Sequence, residues 1–237
     1  MLLLVLILAL SVPDLWQAGR RDDVPLLQQG RREALQAVAA EGATAAWPGV
    51  ALADLYLVAH FQAQGLPDSA RTYLEEALRI LEQARKDTVS PDLLAFLGNF
   101  YGVRISFASW FQAPFLGRKA HRCLAQAQAL DSLNPRVWLF EGIQAFYTPP
   151  MFGGGLKKAV RRLRRALELW QRRPASPLFG RWGEDLALVY LAQAWYRLGE
   201  VSRARATLQE ALQRYSDLQM AHSLQARWAQ TPKEESP

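Results

Sequence analysis

The chain has 237 residues, half of them hydrophobic, with 28 Lys and Arg against 22 Asp and Glu and a formal net charge of +6. That length is more than one compact core needs but suits a short solenoid with a flanking segment. Recurrent Ala, Leu, Gln and Arg, without alternating runs of Val, Ile and Thr, exclude a β-rich fold. Cys123 is the only cysteine, so an intrachain disulfide, a four-cysteine zinc site and paired-thiol chemistry are ruled out, and the residue reads as a small buried hydrophobe.

The N-terminus opens on an apolar run, residues 2–12, with Ser11 as its one polar residue, followed by Pro13 and Asp14. Eleven residues are too few to cross a bilayer, which takes about 20, and they fit the apolar region of a secretory signal, with cleavage near Ala18 or Ser11. The flanking charges run against a standard signal: no Lys or Arg precedes the run, and Arg20 and Arg21 follow it. A start codon assigned too far downstream would account for a missing basic region. Residues 1–18 are therefore expected to be a signal or N-terminal hydrophobic segment, with an uncleaved anchor and an ordinary buried helix as alternatives. The expected location is outside the cytoplasm, periplasmic or secreted.

Residues 19–50 begin with a charged linker, residues 19–23, and continue with a short amphipathic stripe, Ala34, Leu35, Val38 and Ala39, ended by Gly42. This predicts an N-terminal capping helix. From residue 51 a pattern begins that recurs to residue 231. Leu57, Val58 and Phe61 lie on one helical face, Gly65 breaks the helix, and Ala70, Leu74 and Ala77 lie on the next, with Asp68 after Pro67 expected as its N-cap.

Leu94, Leu97, Gly98 and Tyr101 repeat the first-helix pattern, and Ala120, Leu124 and Ala127 the second, but ten extra residues lie between them, around residues 106–115. That insertion contains Phe107, Trp110, Phe111 and Phe115 and is expected to fold back on its own scaffold, the alternative being an exposed contact loop. Pro135 opens the next unit. Trp138 and Gly142 hold first-helix positions, Glu141 replaces a Leu, and Ala159, Leu163 and Ala166 hold the second helix. Five surplus residues sit around residues 148–155, TPPMFGGG, where two prolines and three glycines forbid a continued helix.

The pattern is cleanest in residues 183–216. Leu188, Leu191, Ala192 and Trp195 fall at i, i+3, i+4 and i+7, Gly199 turns the chain, and Ala204, Leu208, Ala211 and Leu212 form the partner stripe. Ala192 and Ala204 are small because the two backbones approach there, while Trp195 and Leu208 fill the space beside them. A closing helix is expected over residues 217–230, and residues 232–237 form a polar tail. This order of bulky, Leu, small, aromatic, Gly, then Ala, Leu, Ala resembles the tetratricopeptide repeat, a helix–turn–helix unit of about 34 residues. The resemblance implies an all-α fold, a short α-solenoid of about four helical hairpins with flanking helices. One such hairpin cannot bury both of its apolar faces, so neighbours must stack on it.

The family's mode of action implies a non-catalytic scaffold that takes a protein or peptide in a concave groove lined by the first helices. Carried over by register, the groove positions are Asn99; Arg136, Leu139, Phe146 and Tyr147; and Val189, Gln193, Tyr196 and Arg197. Too few of them are basic for the carboxylate clamp that some family members use.

Charge suggests a second function. Residues 156–173 hold eight Lys or Arg and one acid, Glu168, so this stretch alone carries +7 while the whole chain nets +6. Leu156, Ala159, Val160, Leu163, Leu167 and Trp170 form the buried stripe, which directs Lys157, Lys158, Arg161, Arg162, Arg164 and Arg165 to solvent. Gly153, Gly154 and Gly155 precede that helix. Together with Lys157, Lys158 and Arg161 they form a candidate nest for an anionic ligand or membrane surface, the alternative to peptide binding. No specific nucleic-acid partner is expected.

Enzyme chemistry has no coherent set of residues. His60, His121 and His222 are scattered, His121 and Cys123 point to different faces of one helix, and the glycine triplet lacks the spacing of a phosphate-binding loop. The acidic neighbours Glu75 with Glu76 and Glu184 with Asp185 read as solvated or helix N-terminal residues. No catalytic residue, cofactor or metal is expected.

Overall fold

The computed structural model of the chain describes residues 2–230, with side chains from Val12 onward. The polar tail, residues 232–237, lies outside them. The described residues form eleven α-helices and two 3-10 turns, with no β-strand. They divide into two compact units, one of Met1–Ser132 with Pro177–Gly180, the other of Leu133–Ser176 with Arg181–Pro237.

The first unit contains α1 (Leu2–Arg21), α2 (Val24–Glu41), α3 (Ala43–Ala63), α4 (Pro67–Asp87), α5 (Pro91–Arg104) and α6 (Ala113–Leu130). Helices α3 and α4 pack as one hairpin and α5 and α6 as another, α4 packs on α5, and α1 and α2 cover α3. Helix α3 is apolar on nearly every side, with Trp47, Val50, Leu52, Leu57 and Val58 all buried, as a helix at the centre of a unit must be. Helix α4 is amphipathic and turns Ala70, Leu74, Ala77, Leu81 and Ala84 inward. Gly98 marks the close approach of α5 to α6, since a Cβ there would stand 2.7 Å from Leu124 Cγ. The excursion Pro177–Gly180 contributes Phe179, whose ring lies 5.8 Å from Trp47 and 5.6 Å from Phe96.

Three sequence expectations change in this unit. Residues 19–23 are not a linker: α1 runs through Pro13 to Arg21, because Val12, Leu15 and Ala18 form a buried stripe and Gly19 lies against the Tyr56 ring. Only Asp22 and Asp23 separate α1 from α2, and Asp23 caps α2 by accepting from the Leu26 amide at 3.1 Å. Asp68 is not an N-cap. Helix α4 already begins at Pro67, a favoured first-turn residue, and Asp68 sits in that turn, where its charge meets the helix dipole. The first hairpin also starts earlier than residue 51, at Ala43, immediately after Gly42. No helix among the described residues is long and apolar enough to cross a membrane.

The second unit contains α7 (Pro135–Tyr147), α8 (Leu156–Arg172), α9 (Glu184–Arg197), α10 (Val201–Arg214) and α11 (Gln219–Gln230). Hairpins α7–α8 and α9–α10 stack through α8 against α9, with α11 closing on α10. Ala192 and Ala204 are fully buried in one core with Leu188, Val189, Leu208, Ala211, Leu218, Ala221, Leu224 and Trp228, so the small residues stand where two backbones meet. Gly142 repeats the device of Gly98, a Cβ there lying 2.7 Å from Leu163 Cγ. Gly199 makes the α9–α10 turn with φ +86, a conformation that side chains disfavour, and Gly65 makes the α3–α4 turn with φ +71. The second insertion falls between helices, and the first does so up to Gln112, its last three residues, 113–115, forming the first turn of α6. Residues 105–112 hold a 3-10 turn, Ile105–Phe107, and residues 148–155 hold another, Pro150–Phe152.

Candidate partner-binding surface

Helices α7 and α9 are neighbours in the second unit, and their facing residues build an aromatic surface. The Phe146 ring lies 5.0 Å from Tyr147 and 5.5 Å from Tyr190, both edge-on, and Tyr147 lies 6.1 Å from Tyr190. The two tyrosine hydroxyls approach to 3.4 Å. The Arg197 guanidinium sits 4.3 Å above the Phe146 ring, an attraction between a cation and the ring's negative face. Tyr147 is 64% exposed and Arg197 is also exposed, whereas Phe146 is buried and supports both. Burial raises the Tyr190 hydroxyl well above its usual range, with Tyr147 adding to the effect, so Tyr190 is a neutral hydroxyl at physiological pH.

The remaining groove positions go elsewhere. Gln193 is half-buried on α9. Tyr196 stacks flat on Trp228 of α11, centroids 4.3 Å apart and planes 5° off parallel, so it serves packing within the unit. Leu139 and Val189 are fully buried, and Arg136 is buried at the start of α7. Asn99 is buried on α5, in the other unit. Tyr190, which is not among the register positions, stands three residues before Gln193 and seven before Arg197. That i, i+3, i+7 spacing was the available signal.

The glycine loop is corrected by its hydrogen bonds. Gly153 N–H donates to the Pro150 carbonyl at 2.9 Å, Gly154 N–H to Pro149 at 3.1 Å and Gly155 N–H to Ala145 at 2.8 Å. The three backbone donors expected to hold an anion are thus used by the loop itself and by the end of α7. Lys158 also turns back, its Nζ donating to the Gly153 carbonyl at 2.8 Å. A side chain on Gly154 would collide with the Thr148 carbonyl, so this glycine is required by space. Along α8, Arg162 pairs with Glu141 at 3.2 Å and lies 4.8 Å over Trp138, which explains Glu141 at a Leu position. Lys157, Arg161 and Arg164 face solvent.

Two buried charge clusters were not legible as sites. In the first unit Arg31 Nε donates to Asp54 Oδ1 at 2.5 Å and its Nη2 to Glu76 Oε2 at 2.6 Å, with Tyr73 stacked 4.7 Å away. Asp54 is fully buried, and burial pushes its carboxyl up to about 7 against the opposing pull of Arg31. The repeat register hinted at it: Asp54 occupies the place held by Leu94, Trp138 and Leu188. In the second unit Glu184 accepts from Arg181 at 2.7 and 2.9 Å, from Arg214 at 2.8 Å and from the Tyr215 hydroxyl at 2.8 Å. Burial opposes its ionisation, but the hydrogen bonds from Arg181 and Tyr215 outweigh that and hold the carboxyl below its ordinary value. Glu184 does lie in the first turn of α9, as read from sequence, but buried rather than solvated.

Cys123 is buried and its thiol is raised by that burial. His60 pairs with Asp22 at 2.9 Å, and among the described residues no cluster of His, Cys, Asp and Glu is arranged to hold a metal ion. No protein-family model and no curated protein matches the sequence.

Proposed function

We propose that the chain is a non-catalytic binding module of tetratricopeptide type that takes a protein or peptide on the first-helix face of its second unit. The observation that carries this reading is the Phe146, Tyr147, Tyr190 and Arg197 surface on α7 and α9, where a buried ring holds an exposed tyrosine and an exposed arginine in fixed positions. Rigid aromatic and arginine side chains lose little conformational entropy on contact and recur as binding hot spots. The repeat spacing of the sequence supports the same assignment. A phage-displayed random-peptide library selected on the immobilised protein tests it. Selected peptides should lose most of their affinity for Tyr147→Ala and Arg197→Ala variants, and peptides indifferent to both changes would overturn the reading.

A second reading, an anionic ligand or surface held by α8, is favoured by the exposed Lys157, Arg161 and Arg164. Side chains alone support it, since the backbone donors of Gly153, Gly154 and Gly155 are hydrogen-bonded within the chain. Retention on a heparin column that falls with salt and with Lys157→Ala/Arg161→Ala would support it.

The reading includes export. Cleavage near Ser11 keeps Val12, Leu15 and Ala18 in the unit, whereas cleavage near Ala18 would strip Leu15 from its seat over Gly30, where a Cβ would meet Leu15 Cδ2 at 2.6 Å. Fractionation after expression from the native start, with mass determination of the product, tests both points.

A further inference from the structure

Of the four aromatics in the turn between α5 and α6, Phe107 is half-buried, whereas the other three do not fold back on the scaffold as expected. Trp110 is 87% exposed, Phe111 64% and Phe115 54%. Contiguous exposed apolar side chains of this kind mark protein or membrane interaction sites. The turn that presents them is shaped. Ala113 N–H and Gln112 N–H both donate to the Ser109 carbonyl at 3.1 and 3.0 Å, Leu116 N–H to the Gln112 carbonyl at 3.1 Å, and Ser109 N–H to the Gln112 side chain at 3.3 Å. Trp110 and Phe111 pack edge to face at 6.0 Å.

Along the chain, the charge beside the tip has one sign, and the carboxylates that approach from α4 are engaged, Glu75 by Arg104 and Glu82 by the Tyr101 hydroxyl. Residues 105–130 contain no Asp or Glu, while Arg118, Lys119 and Arg122 lie just beyond the aromatics. Phe115, Arg118 and Arg122 fall at i, i+3 and i+7 on α6, all three exposed, so one helix face joins the apolar tip to the cations. Lys119 Nζ sits 5.3 Å from the Phe115 ring and 5.0 Å from Tyr101. An exposed Trp with Phe neighbours, a turn whose flanking backbone donors at Ser109, Gln112, Ala113 and Leu116 are bonded locally, and a cationic helix face beside it match the boundary of an anionic bilayer. There the rings lie at headgroup depth and unpaired backbone groups are costly.

We propose that the α5–α6 turn is an interfacial anchor for anionic lipid bilayers, with Trp110, Phe111 and Phe115 entering the headgroup boundary and Arg118 and Arg122 set against the lipid phosphates. The anchor lies in the first unit and does not depend on the peptide surface of the second. Each residue has a separate part: the rings supply apolar burial, and the arginines supply attraction that salt screens.

The test is sedimentation of the full chain with phosphatidylcholine vesicles and with mixed phosphatidylcholine–phosphatidylglycerol vesicles, at low and physiological salt. Binding to the mixed vesicles is expected, weaker at higher salt. Trp110→Ser/Phe111→Ser should weaken it roughly tenfold or more, whereas Trp110→Phe should stay near the wild type. Arg118→Ala/Arg122→Ala should remove most of the preference for mixed over neutral vesicles. All these side chains are exposed, so the helical circular dichroism signal should be unchanged. Brominated lipid should quench wild-type fluorescence more than that of Trp110→Phe. Undiminished binding by the Ser/Ser variant would overturn the proposal, assigning attachment to the N-terminal apolar run or to α8. So would equal quenching in both proteins, or absence of binding to mixed vesicles at low salt.

Discussion

Replacing Gly98 and Gly102 separately by Ala places the same methyl on the same helix, α5, in two different surroundings. At Gly98 the new Cβ would stand 2.7 Å from Leu124 Cγ, 3.0 Å from its Cδ2 and 3.1 Å from the Ala120 carbonyl oxygen. Comfortable carbon contacts lie at about 3.5–4.0 Å, so α5 and α6 must separate or Leu124 must leave its rotamer, at a cost of about 1–3 kcal/mol. The gain in helix propensity from Gly to Ala returns about 1 kcal/mol, leaving a net loss of up to about 2 kcal/mol. At Gly102 nothing lies within 4 Å of the added methyl, and only the gain remains, about 0.5–1 kcal/mol. Urea unfolding followed by circular dichroism at the helical minimum measures both. The two midpoints should move in opposite directions from the wild type. Equal shifts, or a stabilised Gly98→Ala, would show that α5 and α6 are not in the close contact on which the hairpin rests.

Asp54 should make stability fall as pH rises. Its carboxyl is raised from 3.8 to about 7 in the folded chain, so the native state binds the proton more tightly, and that advantage is lost between about pH 4 and pH 7, at most about 4 kcal/mol. Asp54→Asn should flatten the urea midpoint across that range, and an unchanged slope would refute the assignment. Glu184 acts with the opposite sign: its lowered carboxyl favours folding above the ordinary carboxylate range, and the benefit disappears as acid protonates it. Glu184→Gln should cost about 1–3 kcal/mol at neutral pH and less in acid, by the same unfolding assay. Ala192→Leu and Ala204→Leu should each destabilise the second unit by about 1–3 kcal/mol, and wild-type stability in both would mean that the register of α9 on α10 is wrong.

How much was legible can be seen at particular residues. Helix period and small residues are local properties, so Ala192 opposite Ala204, Gly65 and Gly199 at the turns, and both insertions could be placed by spacing alone. The candidate surface was half legible. Phe146, Tyr147 and Arg197 were identified by register, but Tyr196 was drawn off to Trp228, and Tyr190 took a place beside Tyr147 that required knowing how α7 lies on α9. In the glycine loop the sequence shows conformational freedom, whereas the use of its donors is decided by the carbonyls within reach once the chain has turned.

The amino-acid sequence by itself determined that this chain is helical, where its hairpins break, which faces are apolar and where positive charge gathers, because each of these follows from residues within a few positions of one another. Tertiary structure alone decided the rest. Arg31 reaches Asp54 and Glu76 across 23 and 45 residues of chain. Leu15 extends a terminal helix into the first unit over Gly30, and the ring-rich turn at Trp110 stands out in solvent. Burial and exposure depend on which surfaces the fold brings together. A periodic pattern shows that a face must be covered, but the covering residue comes from a distant part of the chain.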